Sequence, residues 1–186
     1  YFKIGGDTPP ESMWRVIREI VVDTSIYLPD MFVIQLDDPG LSWIDSSVLE
    51  IGKSTEISGK AAGENNTTAL MKGEIVAIEP ELTEGIGTTI AVRGYDKSHR
   101  LHRGKKSRVF QQATDSDIVK KIAQESGLDI DIEATGVVYD HVFQHDQTDM
   151  EFVHDRARRV GYLSYVENGK LFFRKASVPT PTAVLE

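Results

Sequence analysis

"TDSDIVKKIAQESGLDIDIE" (Thr114–Glu133) and "TDMEFVHDRARRVGYLSYVE" (Thr148–Glu167) are two versions of one pattern set 34 residues apart. Each opens on Thr-Asp, and a threonine hydroxyl caps a helix by accepting one of its unpaired backbone N–H groups. In the first copy Thr114 is the expected N-cap with Asp117 at the third helical position. Ile118, Ile122 and Ala123 then share a face, and Gly127 is a fitting stop because glycine enters the left-handed region without a Cβ penalty. In the second copy Thr148 and Glu151 spell a capping box, Phe152, Val153, Ala157 and Val160 face inward, and Gly161 ends the helix. A strand follows each helix. "LDIDIE" follows the first; "YLSYVE" follows the second and turns at Asn168-Gly169, a dipeptide favoured in type I′ hairpins, into "KLFFRK". Between the copies "GVVYDHVFQHD" alternates as a strand. The period equals that of a tetratricopeptide, but that repeat is two helices, and two copies are too few for a solenoid. Duplication and convergence on a common cap–helix–glycine–strand pattern both account for the likeness at this level.

Upstream, from Trp14 to Phe110, the signals are those of strands. "WRVIREIVVD" places Met13, Ile17, Ile20 and Val21 at helical spacing, yet Val and Ile at five of seven positions crowd a helix surface, so it reads as a strand. "MFVIQLDD" alternates. "SVLEIGKSTEISG" reads as two strands around Gly52-Lys53, "LMKGEIVAIEPEL" as a longer strand ended by Pro80, and "GTTIAVRGYD" as another. The loop "GKAAGENNTT" is flexible in composition. Repeated short strands separated by turns predict a small antiparallel β-barrel or sandwich. The expected fold is mainly β with an α+β segment: a β-barrel domain over 1–111, a helix-strand-helix-hairpin domain over 112–178, and a tail over 179–186.

With 40% hydrophobic and 27% charged residues the composition is that of a globular protein. No apolar run approaches the roughly 20 residues that cross a bilayer. The absence of Cys removes disulfides, thiolate zinc sites and a Cys nucleophile together, and suits a reducing compartment. A net charge of −8 disfavours general nucleic-acid binding. Tyr1 in place of an initiator Met, and Leu185-Glu186 read as residues left by a tag, point to a fragment.

Sequence patterns of catalysis are weak throughout. His141 and His145 have the i, i+4 spacing of a helical zinc pair, with His154 nearby. On a strand, however, four residues span roughly 13 Å, too far for two imidazoles to share an ion. "IGKST" has Ser47 where a phosphate-binding loop needs Gly, and "GIGTTI" pairs Gly85 and Gly87 with Ile90 in the third place. No catalytic residue, cofactor or metal is expected. The most unusual charge feature is "RGYDKSHRLHRGKKSR", where Arg93, Lys97, Arg100, Arg103, Lys105, Lys106 and Arg108 surround one Asp, a local +6 that leaves −14 on the rest. This is a candidate interaction surface for an acidic protein partner, with a solvated hairpin as the plainer reading.

"TDSDIVKKIAQESGL" and "VFQHDQTDMEFVHDRARRVGYLSYVENGKLFFRK" resemble the phage late control D proteins and the related VgrG spikes of contractile injection systems. Gln144, Thr148, Asp149, Phe152, Arg156, Gly161 and Tyr162 stand in that family's structural motif positions. "LPDMFVIQLDDP", "LMKGEIVAIEPEL" and "IAVRGYDKSHRLHRG" are similar to its first barrel, including a Lys-Gly-Glu-Ile strand and an Arg-Gly-Tyr-Asp turn. The resemblance implies a baseplate hub, usually a homotrimer, whose barrels form a pseudo-sixfold ring joining the tail tube to the central spike. Tail tube, spike and other baseplate proteins are the implied partners. The implied location is the bacterial cytoplasm during assembly, then the baseplate. The family continues into a second barrel, whereas this chain carries the first barrel and the α+β segment. Two readings from other classes stand beside the hub: a cell-wall-processing or metal-dependent enzyme of the same particle, and a nucleic-acid-binding domain using residues 93–108.

Overall fold

The computed structural model describes residues 1–25, 28–60, 63, 66–83 and 87–176. The tail over 179–186, Gly85 of the "GIGTTI" turn and the middle of the 59–68 loop lie outside the described residues. The chain divides into two compact units, Tyr1–Leu101 with Val166–Gly169, and His102–Tyr165 with Lys170–Glu186.

The first unit holds β1 (Phe2–Ile4), the short helix α1 (Glu11–Trp14), β2 (Ile17–Asp23), β3 (Met31–Asp37), β4 (Ser54–Gly59), β5 (Thr68–Thr83), β6 (Gly87–Asp96) and a 3-10 turn at Lys97–His102 that reaches its end. The strands form one antiparallel sheet in the order β1-β4-β5-β6-β3-β2, curled as a half-barrel. Register shifts at Ile17/Glu19, Ile57/Ser58 and Ile75/Ala77 supply local bends, since an extra residue on one strand increases its twist. Phe2, Met13, Phe32, Ile34, Leu36, Ile90 and Val92 fill the core, with Trp43, Ile44 and Val48 packed against it.

Several local readings are corrected. The strand expected from Trp14 starts at Ile17, because Glu11–Trp14 makes one helical turn that buries Met13 and pairs Glu11 with Arg15 at 2.6 Å. "SVLEIGKSTEISG" holds one strand: Leu49 is buried from a turn, and strand geometry begins at Ser54. Nearby, the Asp38 carboxylate ties down the backbone N–H groups of Ser42 and Trp43. Pro80 does not end β5, which runs to Thr83 with Pro80 opposite Ile90. Beyond Ile75 the only paired neighbour of β5 among the described residues is β6, so the N–H that proline lacks is not needed for a second ladder. The Arg-Gly-Tyr-Asp segment, 93–96, a turn by the family resemblance, is the end of the strand that "GTTIAVRGYD" predicts. Gly94 is required there, because a Cβ would meet the Phe32 ring at 2.1 Å. Gly73 is similar, with the Tyr95 carbonyl oxygen 2.5 Å from where its Cβ would stand.

The second unit contains β7 (Lys106–Ala113), α2 (Asp115–Ser126), β8 (Asp129–Ile132), β9 (Tyr139–Gln147), α3 (Asp149–Val160), β10 (Tyr162–Glu167) and β11 (Lys170–Lys175); the tip of the β10–β11 hairpin, Val166–Gly169, clusters with the first unit. Both helices carry complete capping boxes, Thr114 with Asp117 and Thr148 with Glu151. Both end on a left-handed glycine, Gly127 (φ 68°) and Gly161 (φ 70°). The hairpin turns at Asn168 (φ 51°) and Gly169 (φ 79°), the two positive φ values a type I′ turn demands.

The repeat is also written in the strand pairing. β7 and β9 form an antiparallel ribbon in which Val109 faces Phe143, two residues 34 apart. Shifting by 34 exchanges the flanking pairs Arg108–Gln144 and Phe110–Val142, so the ribbon maps onto itself about a local two-fold axis through the Val109–Phe143 pair. Gln112 and Asp146, each two residues before its capping threonine, take the same uncommon φ of 48° and 46°. Duplication of a strand-helix-strand unit accounts for this; convergence on a capped helix does not set a strand register. The symmetry ends at the third sheet, ordered β10-β11-β8, where β11 lies parallel to β8 and has no counterpart.

Candidate functional site

Of the family-motif residues, Gln144, Thr148, Asp149 and Phe152 gather at the start of α3, Arg156 reaches from its middle to Asp115 of α2, and Gly161 and Tyr162 stand at its end. Gln144 points inward from β9 because the alternation of Val142 and Gln144 puts both on the covered face. Its amide donates to the Asp149 carboxylate at 3.0 Å and to the Gln147 carbonyl at 3.1 Å. Asp149, 2% exposed, also receives Lys106 Nζ at 2.6 Å and an Arg108 guanidinium nitrogen at 2.7 Å. Arg108 spends its other nitrogens on Gln144 at 2.8 Å and Glu125 at 2.5 Å, and lies 5.0 Å from the Phe110 ring centre. Phe110 stacks on Phe152 at 5.8 Å. Tyr162 packs on Phe173 at 5.1 Å and donates its hydroxyl to the Ala134 carbonyl.

A second buried centre surrounds Asp115, which is fully buried in the first turn of α2. Arg156 Nε donates to one of its oxygens and the Tyr139 hydroxyl to the other at 3.1 Å, with the guanidinium 4.7 Å from the Tyr139 ring centre. Arg156 was legible in the motif but Asp115 was not singled out. Its equivalence to Asp149 under the 34-residue shift was the signal available.

The basic segment is largely engaged internally. Arg93 pairs with Glu79 at 2.8 Å, Arg100 with Glu74, Lys105 with Asp146 at 3.3 Å, and Lys106 and Arg108 with Asp149. Lys97, half-buried, and Arg103, exposed, make no ion pair among the described residues. The segment therefore closes local charges over most of its length, which its +6 count concealed.

The histidines are dispersed. His141 and His145 lie on the outward face of β9, where His145 stacks on Phe143 at 5.2 Å, and His154 is on α3. Burial holds the His154 imidazole below its usual range, against a hydrogen bond to the Ser164 backbone that pulls it up. No group of three His, Asp or Glu suited to a metal occurs among the described residues. No helix among them is long and apolar enough to cross a membrane. Chemically, the two centres are interlocked ion pairs that fix where α2 and α3 begin.

Comparison with solved structures places the architecture. The 43 kDa tail protein of prophage MuSo2 from Shewanella oneidensis is similar over 95% of this chain and 52% of its own, with a TM-score of 0.70 and 18% identity. The E. coli c3393 protein, a type VI secretion component described as similar to the T4 tail proteins gp27 and gp5, covers 92% of this chain and 48% of its own, with a TM-score of 0.60 and 18% identity. A chain of the Francisella PdpA–VgrG complex matches 84% of this chain and 26% of its own, with a TM-score of 0.56 and 13% identity. The chain thus spans about half the length of the first two structures. No curated protein matches its sequence. The fold is that of phage tail and VgrG-like hub proteins, as the sequence resemblance implied. The family described as the Alg8 N-terminal domain matches residues 37–185, and the chain belongs to it.

Proposed function

We propose that this chain is a structural component of the baseplate hub of a contractile phage tail or phage-like injection system, connecting the tail tube to the central spike. The observation that supports the reading most is the likeness of 95% of the chain to a prophage tail protein. In this reading the sheet unit is the hub's first barrel and the α+β unit its insert. Three copies of the full-length protein close the ring, with tube, spike and other baseplate proteins as partners, assembled in the bacterial cytoplasm. The role is scaffolding rather than catalysis: the buried carboxylates at Asp115 and Asp149 position helices. From the basic segment, Arg103 and Lys97 are the cations offered to an acidic neighbour.

The deciding experiment purifies the full-length protein with its tail proteins and measures mass and composition by native mass spectrometry. The expected result is a trimer that retains tube and spike proteins, weakened by Arg103→Glu with Lys97→Glu. A full-length protein that stays monomeric beside its tail proteins would refute the hub.

A further inference from the structure

The β7–β9 ribbon has two outer edges, which its local two-fold axis makes equivalent in backbone. β7 pairs with β9 alone, so the N–H and C=O groups of every second residue point away from the ribbon, and among the described residues no other backbone bonds to them. What flanks the two edges differs. Beside β7 a groove runs between strand and helix, lined by Val109–Gln111 and Ala113 on one side and by Asp117, Ile118 and Lys121 of α2 on the other. Phe110 and Ile118 are buried beneath it, Val109 is 51% exposed, and no residue of Val109–Ala113 is charged. Asp117 is committed to capping Thr114, whereas Lys121 makes no ion pair among the described residues and holds its ammonium 5.6 Å from the Phe110 ring centre. A shift of 34 carries Ala113, Asp117 and Lys121 onto Gln147, Glu151 and Asp155, which line the matching groove between β9 and α3. There Lys105 pairs with Asp146 and Arg158 with Asp155, and Gln147 donates to Asp155 at 2.8 Å. Charges fixed beside an edge strand discourage a further strand from joining it. The β9 edge is protected in this way; the Val109–Ala113 stretch of β7 is not.

We propose that the β7 edge and its α2 groove accept an extended segment of a partner protein as a third strand, with an apolar side chain over Ile118 and a carboxylate beside Lys121. Main-chain bonds to the edge supply affinity in this mode of recognition, and the groove selects among side chains. Charge argues against a second copy as the occupant. Lys106–Ala113 contains no acidic residue, so two copies joined β7 to β7 would leave Lys121 without a carboxylate, and the β9 edge is guarded by its own ion pairs. That the donor is another tail protein rests on the hub reading; the accepting groove does not.

The probe is a short synthetic peptide, blocked at both ends, that alternates valine with threonine around one central glutamate. Titrated into the isotope-labelled chain and followed by NMR, it is expected to protect amides at alternate positions of Arg108–Ala113 from exchange and to leave the outer-edge amides of Tyr139–Gln147 as they were. The same peptide with lysine for glutamate is expected to bind about fivefold more weakly. Lys121→Glu should reverse that order, and Lys121→Gln should abolish the preference. No binding at millimolar peptide, binding at another edge, or equal affinity of the parent for the two peptides overturns the proposal. Protection of the β7 edge that rises with protein concentration alone assigns the edge to a second copy and overturns it as well. For the donor, amide exchange of the 107–113 segment is compared in the full-length protein alone and in complex with its tail proteins, where it is expected to slow about tenfold. A complex that forms without slowing this segment refutes the donor and leaves the hub intact. Failure of the complex to form refutes the hub and the donor together, and the peptide titration then decides the groove alone.

Discussion

The two halves of the second unit, β7–α2–β8 and β9–α3–β10, share their caps, their terminal glycines and a buried aspartate at the first helical position, yet they secure that aspartate differently. Asp115 of the first half is held by Arg156 and Tyr139 of the second, and Asp149 of the second half by Lys106 and Arg108 of the first, joined by its own Gln144. The bonding is reciprocal, but the positions are not: a shift of 34 carries Arg156 onto Ile122 and Arg108 onto Val142. Similar halves have thus acquired different cross-links that do the same job. Neither helix start is secured by its own half alone. The centres also differ in wetness. Arg156 and Asp115 are sealed, with side chains 6% and 0% exposed, while Lys106 is 42% exposed.

That contrast predicts a ranking. Arg156→Met leaves Asp115 charged, buried and short of its cation, and is expected to lower urea-unfolding stability by about 3–5 kcal/mol. Adding Asp115→Leu should recover most of that loss, because an apolar pair removes the stranded charge. Asp149→Asn should cost less, about 1.5–3 kcal/mol, since Lys106 can turn to water. A larger loss at Asp149 than at Arg156 would invert the comparison. Thr114→Ala and Thr148→Ala should each cost about 1 kcal/mol and match one another, because the caps are alike. The smallest effect is acid sensitivity. Bonds from the Thr114 hydroxyl, then its backbone, hold Asp117 below its usual range, and the Thr148 backbone, then its hydroxyl, do so for Glu151. Their contributions are present above the ordinary carboxylate range and are lost as pH falls through the lowered values. Asp117→Asn and Glu151→Gln should each reduce the acid-side slope of the thermal midpoint.

Local signals were legible where the cause is local. Capping boxes, glycine stops and the Asn-Gly turn depend on residues within a few positions, and each formed as read. Pro80 was misread because its tolerance depends on whether β4 reaches that far, which no window around the proline contains. Leu49 likewise looks like a strand residue and is buried from a turn. The basic segment misled for the same reason: Glu79, Glu74, Glu125, Asp146 and Asp149 lie 14 to 43 residues from the cations they neutralise. The motif residues Gln144, Asp149 and Arg156 were recognisable by resemblance, but their partner Asp115 becomes obvious only when the halves are overlaid.

The margin of β5 beyond Ile75 gives Pro80 another significance. A long run of backbone left unpaired on one side is adhesive in crowded solution, where a stray strand from a neighbouring chain can extend the sheet. A proline in the run interrupts the row of donors, and Glu79 and Glu81 beside it add charge. The residue that the sequence presents as the end of a strand thereby acts as a guard on colloidal behaviour, making a long edge a poorer template for stray strands.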